Sequence, residues 1–286
     1  MTRPKKGPAR PVVLAVTSDQ HCGSTVALAP PEIRLDDGGE YRASKAQRWL
    51  YDGWIAYWRR VAEVRDALDA ELFAAFNGDL TEGNHHGTTQ ILSGNPNAQA
   101  AVVDAVMRPV LALNPDRLFF VRGTEAHVGA SGNAEERIAS GLRKDKRPVV
   151  GDGVTGNASH WHLKLALQGV RIDLAHHGRV GTRPWTKPNI TANLAAEIFY
   201  AHAASGQPHP HLAIRSHMHM WVDTHDQHPT RVVQLPAWQL ATSFIHRIDT
   251  SGKLADVGGI IVVIDRGAYE VEKFRLTPAA VPTWTA

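Results

Sequence analysis

Ser216-His217-Met218-His219 closes the apolar run Leu212-Ala213-Ile214 and sets two imidazoles one residue apart. If the segment is extended, alternate residues project from one face, so both rings enter the same pocket at a strand end. Imidazole is the commonest metal ligand, yet in a chain with 16 histidines a lone pair of this kind says little. Its weight comes from similar groups placed after other apolar runs. Asp19 and His21 follow Val12–Val16, Asp79 follows Leu72–Phe76 and Gly78, and the stretch Gly123-Thr124-Glu125-Ala126-His127 follows Leu118–Val121. His176 and His177 end a run that alternates through Val170, Ile172 and Leu174, with His176 on the inward side of that register. Carboxylates and imidazoles gathered at strand ends are the donor set for divalent cations of the Mn²⁺, Fe or Zn²⁺ kind. Glu82-Gly83-Asn84-His85-His86 is a further candidate cluster, in a polar loop with no strand behind it. It suits a ligand, a residue behind a ligand, or a substrate contact.

The apolar patterns predict the elements that must carry these groups. Short continuous apolar runs at Val12–Val16, Leu72–Phe76 and Leu118–Val121 read as strands buried on both faces. Leu50, Trp54, Trp58, Val61, Val64 and Leu68 recur at three and four, which predicts a long amphipathic helix over 43–68 and places the tryptophans in the core. Further helices are expected over 97–113, 133–142 and 191–204. Trp161–Leu167 and Val170–Leu174 around Gln168-Gly169 read as a hairpin, as do 259–265 and 269–276 around Arg266-Gly267. Parallel pairing of the first two strands through the long helix would set Asp79 beside Asp19.

With 286 residues, 43% hydrophobic and 21% charged, the chain has the composition of an ordinary globule able to bury a large core. Residues 1–11 read as a flexible basic tail and 12–286 as one domain. No run approaches the roughly 18 apolar residues of a membrane span. The absence of an apolar leader and the single cysteine, Cys22, fit a reducing, cytoplasmic setting. Cys22 reads as a buried filler or, beside the ligand candidates, a soft-metal or oxidation hazard. A net charge of +3 is no nucleic-acid footprint; Arg3, Lys5, Lys6 and Arg10 of the tail, with Arg122, Arg179 and Arg183, are the cations that could touch a polyanion.

The order D-x-H, G-D, G-x-x-x-H, strand-end His, H-x-H resembles that of the calcineurin-like metallophosphoesterases, over roughly Val12 to His219. The resemblance implies a four-layer αββα sandwich, two mixed β-sheets flanked by helices, and hydrolysis of a phosphate ester by a hydroxide held between two divalent cations. Carried over by motif, it implies Asp19, His21 and His219 at one metal and Asp79 as the bridge. His217 and a strand-end histidine, His176 or else His177, would serve the other, and His127 would protonate the leaving group. The family usually reads G-N-H-[DE] where this chain has Gly123-Thr124-Glu125-Ala126-His127, so the asparagine ligand is missing and the histidine displaced. Glu125, Thr124 or Asn84 of the earlier loop would then stand in for it. The expected substrate is a phosphate ester, diester or nucleic acid ahead of monoester. The alternative is a degenerate metal-binding scaffold that recognises a partner through the same cleft.

Overall fold

The computed structural model describes residues 9–85, 87–181, 183, 185–249 and 252–279. In chain order the elements are β1 Val12–Thr17, β2 Glu32–Arg34, β3 Glu40–Arg42, α1 Lys45–Ala67, β4 Glu71–Asn77, α2 Pro96–Ala112, β5 Arg117–Val121, α3 Glu125–Val128 and α4 Asn133–Lys144. They continue with β6 Leu163–Leu167, β7 Val170–His177, α5 Lys187–Ala204, β8 Leu212–Ser216, β9 Val222–Asp223, β10 Arg231–Gln234, α6 Ser243–Ile248, β11 Val257–Asp265 and β12 Ala268–Leu276. One sheet runs β12-β11-β1-β4-β5 and a second β6-β7-β8-β10-β9, while β2 and β3 form a small separate ribbon.

Alternation along the strands builds the layers. Val12, Leu14 and Val16 of β1 face Ile172, Leu174, Leu212 and Ile214 of the second sheet, so one core lies between the sheets. Val13 and Ala15 turn the other way, to Leu50, Trp54 and Val61 of α1 and Val102 and Val106 of α2. On the far side Ala195 of α5 packs on Ala213 and Val232. The order is helices, sheet, sheet, helix, as the motif resemblance implied.

Helix α1 starts at a capping box in which Ser44 accepts from the Gln47 amide and Gln47 accepts from the Ser44 amide. Trp54 is fully buried with its indole N–H donating to the Val106 carbonyl at 2.9 Å, so its polar atom costs nothing. The expected tryptophan core is therefore present. β2, β3 and α6 are elements that the apolar runs did not announce, because they are short and mostly exposed.

β1, β4 and β5 are parallel neighbours, and so are β7, β8 and β10. Their C-terminal ends meet on one rim, where binding groups collect in α/β sheets. Among the described residues no helix is long and apolar enough to cross a membrane. Tail residues Arg3, Lys5 and Lys6 lie outside the described residues, as does His86.

Candidate metal centre

The loops leaving β1 and β4 are zipped together. The amides of Asp19, His21 and Cys22 donate to the carbonyls of Gly78, Asp79 and Leu80 at 3.0, 3.0 and 2.8 Å. This pairing fixes Asp19 and Asp79 side by side, both essentially inaccessible to solvent. Two glycines permit it. Gly78 has φ +93°, and a Cβ there would run into His176, while a Cβ on Gly123 would run into Asp79.

Five candidate ligands occupy left-handed backbone: Asp19 (φ 54°), His21 (45°), Asp79 (54°), His217 (73°) and His219 (50°). Each such position costs on the order of 1 kcal/mol for a side-chain-bearing residue, and strain of this kind gathers at functional sites. It also corrects the expectation that His217 and His219 share a face by strand alternation. β8 ends at Ser216, and the histidines stand on a tight turn that sends them to different places.

The side chains fall into two trios, each with its donor atoms within 4.8 Å of one another. In the first, His219 Nε2 lies 3.1 Å from both Asp19 Oδ1 and His21 Nε2, with His21 Nε2 3.8 Å from Asp19 Oδ1. In the second, Asp79, His176 and His217 converge, His176 Nε2 lying 3.1 Å from Asp79 Oδ2. Donors about 2.0–2.2 Å from one cation stand roughly 3–3.5 Å apart in tetrahedral or octahedral geometry, which these spacings approach. The trios touch. Asp19 Oδ1 is 3.9 Å from His176 Nε2 and Asp19 Oδ2 accepts from the His217 amide, while Asp79 also groups with His21. Both carboxylates thus stand between the two sets, a placement that would offset the repulsion of two dications held there.

The rings are aimed from behind. His176 Nδ1 faces the Asn77 carbonyl at 2.6 Å, and a carbonyl only accepts, so that nitrogen carries the proton and Nε2 presents its lone pair. His21 Nδ1 lies 2.9 Å from Glu82 Oε2, with the carboxylate off the ring N–H line. Glu82 is itself buried and accepts from Gln239 Nε2 at 3.0 Å. Thr124 donates its amide to Asp79 Oδ1 at 2.6 Å, and its hydroxyl lies 3.0 Å from His217 Nδ1.

The charges suit cations. Burial alone would raise the Asp19 carboxyl, but His219 and His176 outweigh it and hold the group well below the usual range. Burial likewise opposes ionisation of Asp79, and His176 overrides it. Burial would depress His21, yet Asp19 and Glu82 push it up to about 10. Against the same desolvation, Asp79 and Asp19 raise His176 to about 9. Protons on these imidazoles stand where cations would stand, and the donor set of carboxylates and aimed imidazoles fits divalent metals.

Not every expected residue arrives. Glu125 opens α3 with its side chain exposed and belongs to none of the candidate metal groups among the described residues. The chain turns there into α3, so Thr124 rather than Glu125 meets the second trio, and Asn84 is exposed in a hollow wall. His177 is exposed, its ring 5.2 Å from His176 and 4.7 Å from His217, outside both trios. His127 reaches the cluster, 4.5 Å from the His21 ring. With no metal bound, burial and the neighbouring His21 cation press it down to about 4. Cys22 is buried, and desolvation pushes its thiol up, so it is unreactive filler. The arginines are committed elsewhere: Arg122 to Ser159, the Ser131 carbonyl and Glu136, Arg179 to Glu197, and Arg10 to Asp69.

Two hollows flank the rim. One of about 400 Å³ is bounded by His127, Asn84, Glu125 and Arg137. The other, about 520 Å³, is bounded by His176, His177, Arg179 and Trp161, whose ring is 55% exposed beneath the Arg122 guanidinium.

No family model matches this chain, and no curated protein is significantly similar to it. Among solved structures, a variant of Vps29 from Entamoeba histolytica aligns over 92% of this chain and 99% of its own, with 10% identity and TM-score 0.38. A dimetal phosphatase from Danio rerio aligns over 96% and 100%, with 10% identity and TM-score 0.41. A hypothetical protein from Pyrococcus horikoshii aligns over 93% and 88%, with 10% identity and TM-score 0.44.

Proposed function

We propose that this chain is a metal-dependent phosphoesterase that works with two divalent cations, Mn²⁺, Fe or Zn²⁺, and prefers phosphodiesters. The observation that carries the reading is the pair of trios, Asp19-His21-His219 and Asp79-His176-His217, joined through the two carboxylates at one rim. Bound there, the cations would supply Lewis acidity to the phosphoryl oxygens and acidify water for attack on phosphorus.

The chain's own part is positioning. Asp19 and Asp79 neutralise charge between the sets, Glu82 and the Asn77 carbonyl aim His21 and His176, and Thr124 holds both Asp79 and His217. Burial of these groups lowers the local dielectric, so their fixed charges act on the reacting phosphate more strongly than they would in water. The two hollows support the diester preference, since a diester carries an organic group on each side of phosphorus and the centre has room on each flank.

The test is to load the purified chain with Mn²⁺ and offer bis-p-nitrophenyl phosphate, p-nitrophenyl phosphate and single-stranded DNA. Turnover, fastest with the bis-aryl diester and reduced in Asp79→Asn, is expected. No turnover of any substrate, with metal demonstrably bound, would sink the enzyme. The threonine in place of the family's asparagine favours a second reading, a metal-binding scaffold that has lost turnover. Metal analysis separates the two: at least two ions per chain with turnover support the enzyme, and one or none without turnover the scaffold.

A further inference from the structure

Beside the two trios lies a further cluster of the same chemistry, whose His127 also groups with His21 and Asp79. Glu82, His85 and His127 bring one donor atom each to within 4.8 Å of one another. Glu82 Oε1 and His85 Nε2 stand at hydrogen-bond distance, 3.3 Å, a separation that two donors on one cation also take. His127 Nδ1 lies 2.9 Å from the Glu82 carbonyl, which can only accept, so the proton is on Nδ1 and Nε2 offers its lone pair. The rings of His85 and His127 are 4.2 Å apart and nearly perpendicular, at 71°.

The backbone is built to hold this arrangement. Gly83 has φ +71°, and a Cβ there would come within 2.5 Å of the His127 carbonyl oxygen, so only glycine lets the Glu82 loop lie against α3. Gln99 clamps that glycine from both sides, accepting from its amide at 2.8 Å and donating to its carbonyl at 2.9 Å. The Thr81 hydroxyl donates to the His127 carbonyl at 3.2 Å. Glu82 Oε2 is occupied by Gln239 and His21, which leaves Oε1 turned toward His85.

We propose that Glu82, His85 and His127 form a third cation site, adjoining the first trio and linked to it through the two oxygens of the Glu82 carboxylate. Two imidazoles and one carboxylate suit Zn²⁺, Mn²⁺ or Co²⁺ and leave coordination positions open. His127 also lines the hollow of about 400 Å³, which gives a cation a route from solvent and an exogenous anionic ligand a place to bind it. The site adds a positive charge beside the first trio, where one half of a phosphodiester would lie; in that respect it rests on the dinuclear reading.

The experiment is equilibrium dialysis of the full chain against Zn²⁺, with metal counted by mass spectrometry, and anomalous diffraction from Zn²⁺-soaked crystals. Three ions per chain are expected for the wild type and two for His85→Ala with an unchanged circular-dichroism spectrum. The anomalous peak should lie about 2.0–2.2 Å from Glu82 Oε1, His85 Nε2 and His127 Nε2. Equal stoichiometry in wild type and His85→Ala, with no peak at these atoms, overturns the third site. His176→Ala keeps the two ideas apart. If it loses an ion while His85→Ala loses none, the pair stands and the third site falls; if His85→Ala loses one while His176→Ala loses none, the third site stands and the pair falls.

Discussion

His21 is aimed by a carboxylate, Glu82, whereas His176 is aimed by a backbone carbonyl, that of Asn77. Burial does not separate the two: in each trio two ligands are buried and the third, His219 or His217, is half-buried. A negative charge behind an imidazole raises its basicity and hence its grip on a cation, while a carbonyl fixes orientation with less charge. The difference predicts a tighter ion at the first trio than at the second. Asp19 is where the two meet, since its carboxylate reaches His21 and His219 on one side and His176 and the His217 amide on the other.

The largest effect should therefore come from Asp19→Asn. It removes charge from both trios at once, and we expect metal binding to be lost from the first and weakened at the second. Turnover of bis-p-nitrophenyl phosphate should fall at least about a thousandfold, roughly 4 kcal/mol in the barrier. If Asp19→Asn keeps both ions and most activity, the shared-carboxylate picture is wrong. Glu82→Gln sharpens the comparison on one side only. Loss of the charge behind His21 should weaken the first ion about 10- to 100-fold, with occupancy of the second unchanged, read by site-resolved anomalous peaks. Equal losses at both would show that the trios do not differ as their partners suggest.

Much of this centre was legible in the sequence. Every member of the trios stands directly after an apolar run, and Val12–Val16, Leu72–Phe76 and Val170–Leu174 carry the buried or alternating pattern that marks strands. His176 could be preferred over His177 because a register of two fixes which side faces in. What was not legible depends on turns. His217 and His219 on a left-handed turn, and the start of α3 that carries Glu125 outward, follow from tertiary packing, not from periodicity. Glu82 lay in a polar loop with no pattern, its burial set by Gln239, more than 150 residues away. Nothing in the sequence singled out Glu135, which the first turn of α4 buries on the same face as Ile138 and Ala139, three and four residues on.

The metal-free chain gives a third way to set the trios against each other. His21 titrates near 10 and His176 near 9, both above the ordinary 6.5. The folded chain thus keeps protons that the unfolded chain has released. Their stabilisation is whole below about pH 6.5 and is lost as pH rises through 9 and then 10. With metal bound the same nitrogens must be deprotonated, so metal stabilises more as pH rises. Melting temperatures with and without chelator should diverge steadily between pH 6.5 and 10. In His176→Ala the metal-free loss should be confined to the upper step, near 10. A gap that narrows with pH would refute protonation of the metal-free trios.

The smallest effect on metal is expected at Glu135, which lies under the second trio and has no counterpart under the first. Its Oε1 accepts from the Leu80 amide at 3.2 Å, next to Asp79, and its Oε2 has no partner among the described residues. Burial, with the Asp79 charge behind it, pushes the carboxyl up to about 8, so it is a neutral acid at neutral pH. Raised from an unfolded value near 4.5, it favours the fold fully below that pH, and the advantage drains away as pH climbs to 8, a change on the order of a few kcal/mol. Glu135→Gln keeps the acceptor for Leu80 and removes the titration. We expect unchanged occupancy of the second trio, unchanged turnover, and a stability profile between pH 4.5 and 8 flatter than that of the wild type. If instead the second ion is lost, the proton on Glu135 belongs to the centre, and the two trios differ by a buried acid as well as by what aims their imidazoles.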